Sequence, residues 1–278
     1  MDKNKTENKK HSYNFEDKVK ALSGIYTLFI IMLATSGSLK SPWSTLLYYG
    51  AFILPTLLAL IAFRESERDS RDFLGIDSGR LSLALPTFAP AIGLILLLSF
   101  LTSLIMQALT GKTNSVDVGS SILPALVNHA ILPAVLEEIL FRYVPLKLLS
   151  RHSGRWTVVL SAIFFAAAHH NFFTMPYAFA AGVIFMTLDI ITDSIYPSLL
   201  LHLLNNTLSI LLIFAPSPII YILLALAAVI SVVYILINRK RYIAPLIKTF
   251  SGGDDFPFCM ELMTFIMLTL GITLLIGI

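Results

Sequence analysis

Two adjacent glutamates and an arginine lie within one apolar run of the sequence, at Glu137, Glu138 and Arg142. A charged residue at the centre of a membrane helix costs about 2.5 to 3.5 kcal/mol, so we expect these side chains to face protein or water and not lipid. Glu138 and Arg142 are four residues apart and can pair, while Glu137 is turned about 100° away from Glu138. The pattern predicts that Arg142 holds one carboxylate and leaves the other free for chemistry.

Two later apolar runs each carry a residue pair spaced by one helical turn. Phe165 is followed four residues later by His169, and His202 is followed four residues later by Asn206. Because positions i and i+4 share a helix face, we predict that each pair lies on one face of its helix.

These polar residues are predicted to lie at a similar depth. At ~1.5 Å per residue from the cytoplasmic end of each helix, Glu138 lies ~14 Å deep, His169 ~20 Å and Asn206 ~14 Å. A lone intramembrane His or Asn is often an interhelical contact, but a whole set at one level indicates a site. Other polar residues in or near apolar runs are interpreted as packing or helix-end groups: Asn128, His129, His170, Asp189, Asp193 and Asn205.

The composition excludes a soluble domain of this size. The chain has 278 residues, 56% of them hydrophobic and 13% charged, with a mean hydropathy of +0.79. Because only helices and closed barrels span a bilayer, the long apolar runs predict an all-α, polytopic transmembrane helix bundle of about eight or nine helices. The single cysteine, Cys259, excludes an intrachain disulfide and a thiolate metal cluster.

The apolar runs divide the chain into a tail and one membrane domain. Residues 1–20 are polar and rich in lysine, which predicts a cytoplasmic tail, and residues 21–278 are predicted to form a single transmembrane domain. The predicted spans are 21–36, 43–63, 81–109, 121–146, 156–173, 175–192, 195–214, 217–237 and 258–278.

The distribution of basic residues predicts the orientation. With nine spans, eighteen of the twenty Lys and Arg residues fall in the tail and in the segments on its side, and two fall on the other side. The positive-inside rule therefore puts the N-terminus in the cytoplasm of a multi-pass cell membrane protein. The sequence has no glycine-rich phosphate loop and no basic-aromatic pattern, so we expect no nucleic-acid partner.

The three patterns together point to a family. Glu-Glu-x-x-x-Arg, Phe-x-x-x-His and His-x-x-x-Asn, in this order, resemble the three motifs of the CAAX protease and bacteriocin-processing family, also called CPBP or Abi, which includes the type II CAAX prenyl endopeptidases. The resemblance covers about residues 64–237, where Asp72-Phe-Leu-Gly75 is similar to the segment preceding the family core. Two features depart from the family: Ala166 after the motif phenylalanine, and the run 258–278 beyond an eight-helix core.

The resemblance implies an intramembrane endopeptidase whose active site lies within the membrane and opens toward the cytoplasm. Its expected partners are a membrane-embedded or lipidated peptide or protein substrate and the lipid bilayer. Glu137 would be the general base, helped by His169, and His202 and Asn206 would donate to the oxyanion. Glu138, paired with Arg142, would orient the site, with Phe165 packing beside it.

Zinc is left open by the resemblance. The family is commonly described as metalloproteases, and Glu137, His169 and His202 would make a reasonable zinc set. No His-Glu-x-x-His helix occurs, however, and an oxyanion role for His202 competes with a ligand role.

Two other classes of function remain as alternatives. Intramembrane Glu, His and Asp are also used by proton-coupled transporters, although no paired halves with interrupted helices are visible in the sequence. A non-catalytic membrane scaffold or immunity protein would keep the site without turning over substrate. Flux that depends on Glu137 would favour the first, and full biological activity after Glu137→Ala the second.

Overall fold

The chain is helical throughout the part that the structure describes. The computed structural model describes residues 13–64, 73–75, 78–111, 118–171, 174–251 and 255–276, and these ranges contain no strand. The helices are α1 (Phe15–Ser38), α2 (Trp43–Ala62), α3 (Ser78–Thr110), α4 (Ile122–Leu149), α5 (Gly154–Ala167), α6 (Met175–Thr192), α7 (Tyr196–Phe214), α8 (Pro218–Ile237), α9 (Arg239–Phe250) and α10 (Met260–Ile276).

The predicted polytopic helix bundle is confirmed, with fewer full-length spans. Among the described residues, seven helices are long and apolar enough to cross a membrane: α1, α2, the Pro90–Thr110 part of α3, α4, α6, α7 and α8. Two of the nine predicted spans are shorter, because α5 has 14 residues and α10 has 17. The segment between α8 and α10, predicted to be a connecting segment, contains the basic helix α9.

The first helix begins earlier than the sequence predicted. Its start at Phe15 corrects the predicted tail boundary at residue 20, because Asn14 caps the helix by accepting a hydrogen bond from the Asp17 amide at 2.8 Å. Lys18, predicted to lie in the tail, is buried and donates to the Leu148 carbonyl in the last turn of α4 at 3.2 Å. Residues 1–12 lie outside the described residues, so the rest of the tail stays a prediction.

The segment before the predicted family core packs against the α6–α7 turn. The Phe73 carbonyl accepts a hydrogen bond from the Ile195 amide at 3.1 Å, and the Gly75 carbonyl accepts one from the Ser194 hydroxyl at 3.2 Å. Asp72 lies outside the described residues.

Helix α4, which carries both glutamates, contains two π-turns, at Val127–Ile131 and Ile139–Tyr143. Each π-turn is followed two residues later by a proline, at Pro133 and Pro145. Proline has no N–H to donate, and its ring clashes with the carbonyl four residues earlier, so a wider turn before it relieves the clash. π-turns within α-helices often occur at functional sites.

Side chains from α1 and α5 satisfy the carbonyls of the second π-turn. The Leu140 carbonyl accepts a hydrogen bond from the Tyr26 hydroxyl of α1 at 2.6 Å. The Phe141 carbonyl, which Pro145 cannot reach with a donor, accepts one from the Ser161 hydroxyl of α5 at 2.5 Å. Both contacts are buried, so the shape of α4 around its glutamates depends on its two neighbours.

Aromatic packing and one close helix contact hold these neighbours in place. The Tyr26 ring stacks between Phe141 and Phe164, with ring centroids 5.6 and 4.1 Å away. Helices α5 and α6 touch at Gly182, where a Cβ atom would lie 2.9 Å from the Ala162 Cα. Only glycine allows this approach, which brings α6 against the site.

Candidate active site

A cavity of about 220 Å³ lies where α4, the end of α5, α6 and α7 meet. Its walls include four of the predicted site residues, Glu137, His169, His202 and Asn206, so the predicted convergence of the three motifs is observed. The remaining lining residues are His129, Pro133, Phe165, Tyr177, Ala181, Phe185 and Asn205.

The two glutamates occupy different environments. Glu137 lines the cavity, and its side chain is 15% exposed. The Glu138 side chain is 1% exposed and lies behind the cavity wall, with Oε2 3.5 Å from Arg142 Nε. The separation predicted from the helical period is therefore present: one carboxylate faces the cavity and the other is held by the arginine.

Arg142 is enclosed completely. Its Nη1 donates to the Phe141 carbonyl and to the Ser161 hydroxyl, each at 3.2 Å. The guanidinium carbon lies 4.4 Å from the centroid of the Phe165 ring and 5.5 Å from that of Phe185. The motif phenylalanine thus covers the cation, which fits its predicted packing position.

His202 lies between the two glutamates. Its Nδ1 is 2.7 Å from Glu138 Oε1, a hydrogen-bond distance, and its Nε2 is 3.7 Å from Glu137 Oε2. The side chain is buried, and its ring contacts Phe165 and Phe185. Each ring nitrogen therefore faces one carboxylate, and Nε2 is the one on the cavity side.

His169 is positioned by a turn and not by a helix face. The predicted helix does not continue to His169, because α5 ends at Ala167, but Phe165 and His169 line the same cavity with ring centroids 4.9 Å apart. The ring folds back so that Nδ1 lies 3.0 Å from the Phe165 carbonyl. A carbonyl only accepts, so Nδ1 carries the hydrogen, and in the neutral ring Nε2 is a proton acceptor.

A hydrogen-bond chain joins three polar side chains that line the cavity. Asn205 Nδ2 donates to the Tyr177 hydroxyl at 2.7 Å and to Asn206 Oδ1 at 3.2 Å. Asn205 was interpreted as a packing group, and the structure corrects this because it lines the cavity.

Two further cavity residues were missed by the sequence reasoning. His129 was interpreted as a packing group; its spacing of eight residues before Glu137, two helical turns, could have placed it on the same face. Tyr177 has no polar residue one helical turn away. The only signal in the sequence is its position in the first turn of an apolar helix.

Other residues interpreted as helix-end groups do lie at helix ends. Asp193 adopts a left-handed conformation with φ of 50° and ends α6, and His170 has φ of 43° in the turn after α5. Asp189 is fully buried near the end of α6 and accepts a hydrogen bond from the Ser198 amide at 3.3 Å. This hydrogen bond connects α6 to the first turn of α7, the helix that carries His202.

The predicted zinc ligands share the cavity but do not form a metal-binding group. Within the ranges that the structure describes, no three His, Cys, Asp or Glu side chains are arranged to hold a metal ion. His169 Nδ1 is directed at the Phe165 carbonyl and His202 Nδ1 at Glu138, so each ring keeps Nε2 as its possible ligand atom. Zinc binding stays a prediction.

The segment that carries all three motifs matches a known family. Residues 119–208 match the model of the family described as type II CAAX prenyl endopeptidase Rce1-like. The predicted resemblance to CAAX proteases is confirmed. The Rce1-like segment runs from just before α4 into α7 and includes every predicted site residue. No curated protein and no solved structure matches the chain.

Proposed function

We propose that this protein is an intramembrane endopeptidase that hydrolyses peptide bonds with water activated by Glu137. One observation carries the proposal: of the two glutamates, Glu137 reaches the cavity, where His169, His202 and Asn206 surround it. The Rce1-like match supports a protease at the level of the family.

The hydrolysis starts with the activation of water. Glu137 accepts a proton from a water molecule, and His169 Nε2 orients that water by accepting its second hydrogen bond. The hydroxide adds to the peptide carbonyl carbon, and the C=O electron pair moves onto the oxygen. When the intermediate collapses, the C–N bond breaks, and Glu137 returns its proton to the leaving nitrogen. The products are a carboxyl group and a free amine.

The oxyanion formed in this step needs hydrogen-bond donors. Asn206 Oδ1 accepts from Asn205, and among the described residues no atom accepts from Asn206 Nδ2, so we assign this group as a donor to the oxyanion. His202 donates through Nε2 only when both of its ring nitrogens carry protons, because Nδ1 is shared with Glu138. Glu138 and Arg142 hold this ring in place and do not touch the substrate.

The substrates proposed are membrane-associated or lipidated peptides and proteins. The matched family is named for peptides that end in a prenylated CAAX sequence. We therefore choose as first probe an internally quenched fluorogenic peptide with a farnesylated C-terminal CAAX sequence.

The test compares the two glutamates in the purified protein. Glu137→Gln keeps the shape of the side chain but removes the proton acceptor, so hydrolysis of the probe falls by about two to four orders of magnitude while thermal unfolding is unchanged. Glu138→Gln leaves the buried Arg142 without its counter-charge, so both hydrolysis and thermal stability fall. Near-normal turnover by Glu137→Gln, together with a folded and inactive Glu138→Gln, would reverse the two roles. Loss of wild-type turnover on treatment with a chelator would favour zinc.

We further propose that the N-terminus and the α4–α5 turn face the cytoplasm. In this orientation the cavity lies toward the other side of the membrane, because His129, His169 and Tyr177 line it near the ends of α4, α5 and α6 that are far from that turn. This orientation therefore does not accord with the predicted opening toward the cytoplasm.

The chain has one cysteine, so Cys259→Ser gives a background for labelling. In that background, a membrane-impermeant thiol reagent added to intact cells labels Ser120→Cys and leaves Arg151→Cys unlabelled. The reverse pattern contradicts the orientation.

A further inference from the structure

We infer that Tyr177 is a further catalytic residue, whose hydroxyl donates a hydrogen bond to the oxyanion beside Asn206. This inference rests on the proposed function and adds to it a donor from α6, a helix that carries none of the three motifs.

The first observation is the direction of the hydrogen bond that Tyr177 makes. Its oxygen accepts from Asn205 Nδ2 at 2.7 Å. A phenol oxygen that accepts still has its own proton to donate. Within the described residues, no protein atom takes that proton, and Tyr177 lines the same cavity as Glu137. The proton is therefore available to a group bound in the cavity.

The second observation is that Asn205 couples Tyr177 to Asn206. The same Nδ2 group donates to Asn206 Oδ1 at 3.2 Å, so one amide fixes both neighbours. If the Asn205 amide were turned over, its oxygen would face Asn206 Oδ1 and would take the Tyr177 proton for itself. One orientation of the Asn205 amide therefore sets both neighbours: Asn206 then presents its NH₂ group to the cavity, and Tyr177 presents its O–H.

The backbone holds Tyr177 at the cavity. Ala181 and Phe185 follow it at successive helical turns and line the same cavity, so one face of α6 forms this wall. The contact between Gly182 and Ala162 fixes α6 against α5 at that level. A tyrosine has few rotatable bonds, so its hydroxyl is held in place once the ring is packed.

Tyr177 supplies the oxyanion with a hydrogen-bond donor that does not depend on the protonation state of His202. His202 Nε2 donates when the ring is doubly protonated, whereas the Tyr177 hydroxyl is a donor in its neutral form. In the addition step, the hydroxide oxygen bonds to the carbonyl carbon and the electron pair moves to the carbonyl oxygen, which Tyr177 and Asn206 stabilise without losing their protons. Tyr177 exchanges no proton in this step, and the overall reaction is unchanged.

The experiment measures hydrolysis of the farnesylated fluorogenic peptide by the full-length protein in detergent. Tyr177→Phe keeps the ring and removes the hydroxyl; we expect kcat to fall by about 10²-fold, the size of one oxyanion donor, with KM and the thermal unfolding temperature unchanged. The control is Tyr221→Phe, which also removes a tyrosine hydroxyl but lies at an exposed position of α8 outside the cavity. Its kcat stays at the wild-type value.

A double variant separates a shared oxyanion from independent effects. If Tyr177 and Asn206 stabilise the same oxygen, Tyr177→Phe combined with Asn206→Ala loses less than the product of the two single losses. A wild-type kcat for Tyr177→Phe, or a change in KM alone, overturns the inference and leaves the proposed function standing. A wild-type protein that cleaves no probe while folded overturns the proposed function, and the inference with it.

Discussion

The two sides of α4 each carry a glutamate, but the surroundings of the two glutamates differ. Glu137 and Glu138 are identical neighbours, yet one lines the cavity with His169 and Asn206, and the other is enclosed with Arg142. His202 touches both, with one ring nitrogen on each side. An open polar surface can exchange protons with water, whereas a closed one holds charges at fixed positions. We therefore expect changes on the closed side to act on stability, and changes on the cavity side to act on rate.

The largest effect is expected on the closed side, from Arg142→Met. The carboxylate of Glu138, 1% exposed, would lose its cation, and breaking a buried ion pair costs ~3 to 5 kcal/mol of the free energy of unfolding. Denaturant titration in detergent measures this loss. The control is the double variant Glu138→Gln and Arg142→Met, in which the uncompensated charge is gone and part of the stability returns. An unchanged free energy of unfolding for Arg142→Met would show that the two sides are equally tolerant.

The next effect is expected on the cavity side, from Asn206→Ala. Removing one donor to the oxyanion lowers kcat by about 10²- to 10³-fold, or ~2.7 to 4 kcal/mol, while the unfolding transition is unchanged. Asn128→Ala is the matched control, since Asn128 is exposed on α4 and does not line the cavity. A parallel fall in stability for Asn206→Ala would assign it to the structure of α7 and remove the contrast between the two sides.

The smallest effect is expected from Tyr26→Phe, again on the closed side. The Leu140 carbonyl would be left buried without its donor, which costs ~1 to 3 kcal/mol of the free energy of unfolding. The same titration measures it, and Tyr221→Phe, at an exposed tyrosine, leaves stability unchanged. If Tyr26→Phe instead lowered kcat and left the free energy of unfolding unchanged, the π-turn would act on the rate, as residues on the cavity side are expected to.

The sequence predicted the helical fold and the convergence of the motifs because both depend on strong local signals. Long apolar runs set the helices, and a charged or polar pair one turn apart identifies a face that must avoid lipid. Glu137, Glu138 and Arg142 could be assigned to opposite sides of α4 for that reason.

What the sequence did not predict depends on interruptions of helical periodicity and on contacts between distant helices. Pro133 and Pro145 were the available signals for the π-turns of α4, but a proline alone does not say whether a helix kinks, ends or widens. The end of α5 before His169 carries no glycine or proline at the boundary, so the predicted span continued too far. Tyr177 was missed because its partner, Asn205, lies 28 residues away.

The hydrogen bond from Tyr26 to the Leu140 carbonyl also bears on how the protein is made. The two residues are 114 positions apart, and α1 is synthesised first. At about 5 to 20 residues per second, roughly 6 to 23 s separate their translation. The donor is thus already in the bilayer when the carbonyl that needs it arrives, whereas the Ser161 donor to Phe141 follows within a few seconds. The order of the helices along the chain therefore provides a donor for α4, whose π-turn leaves a backbone carbonyl that α4 cannot satisfy itself during insertion.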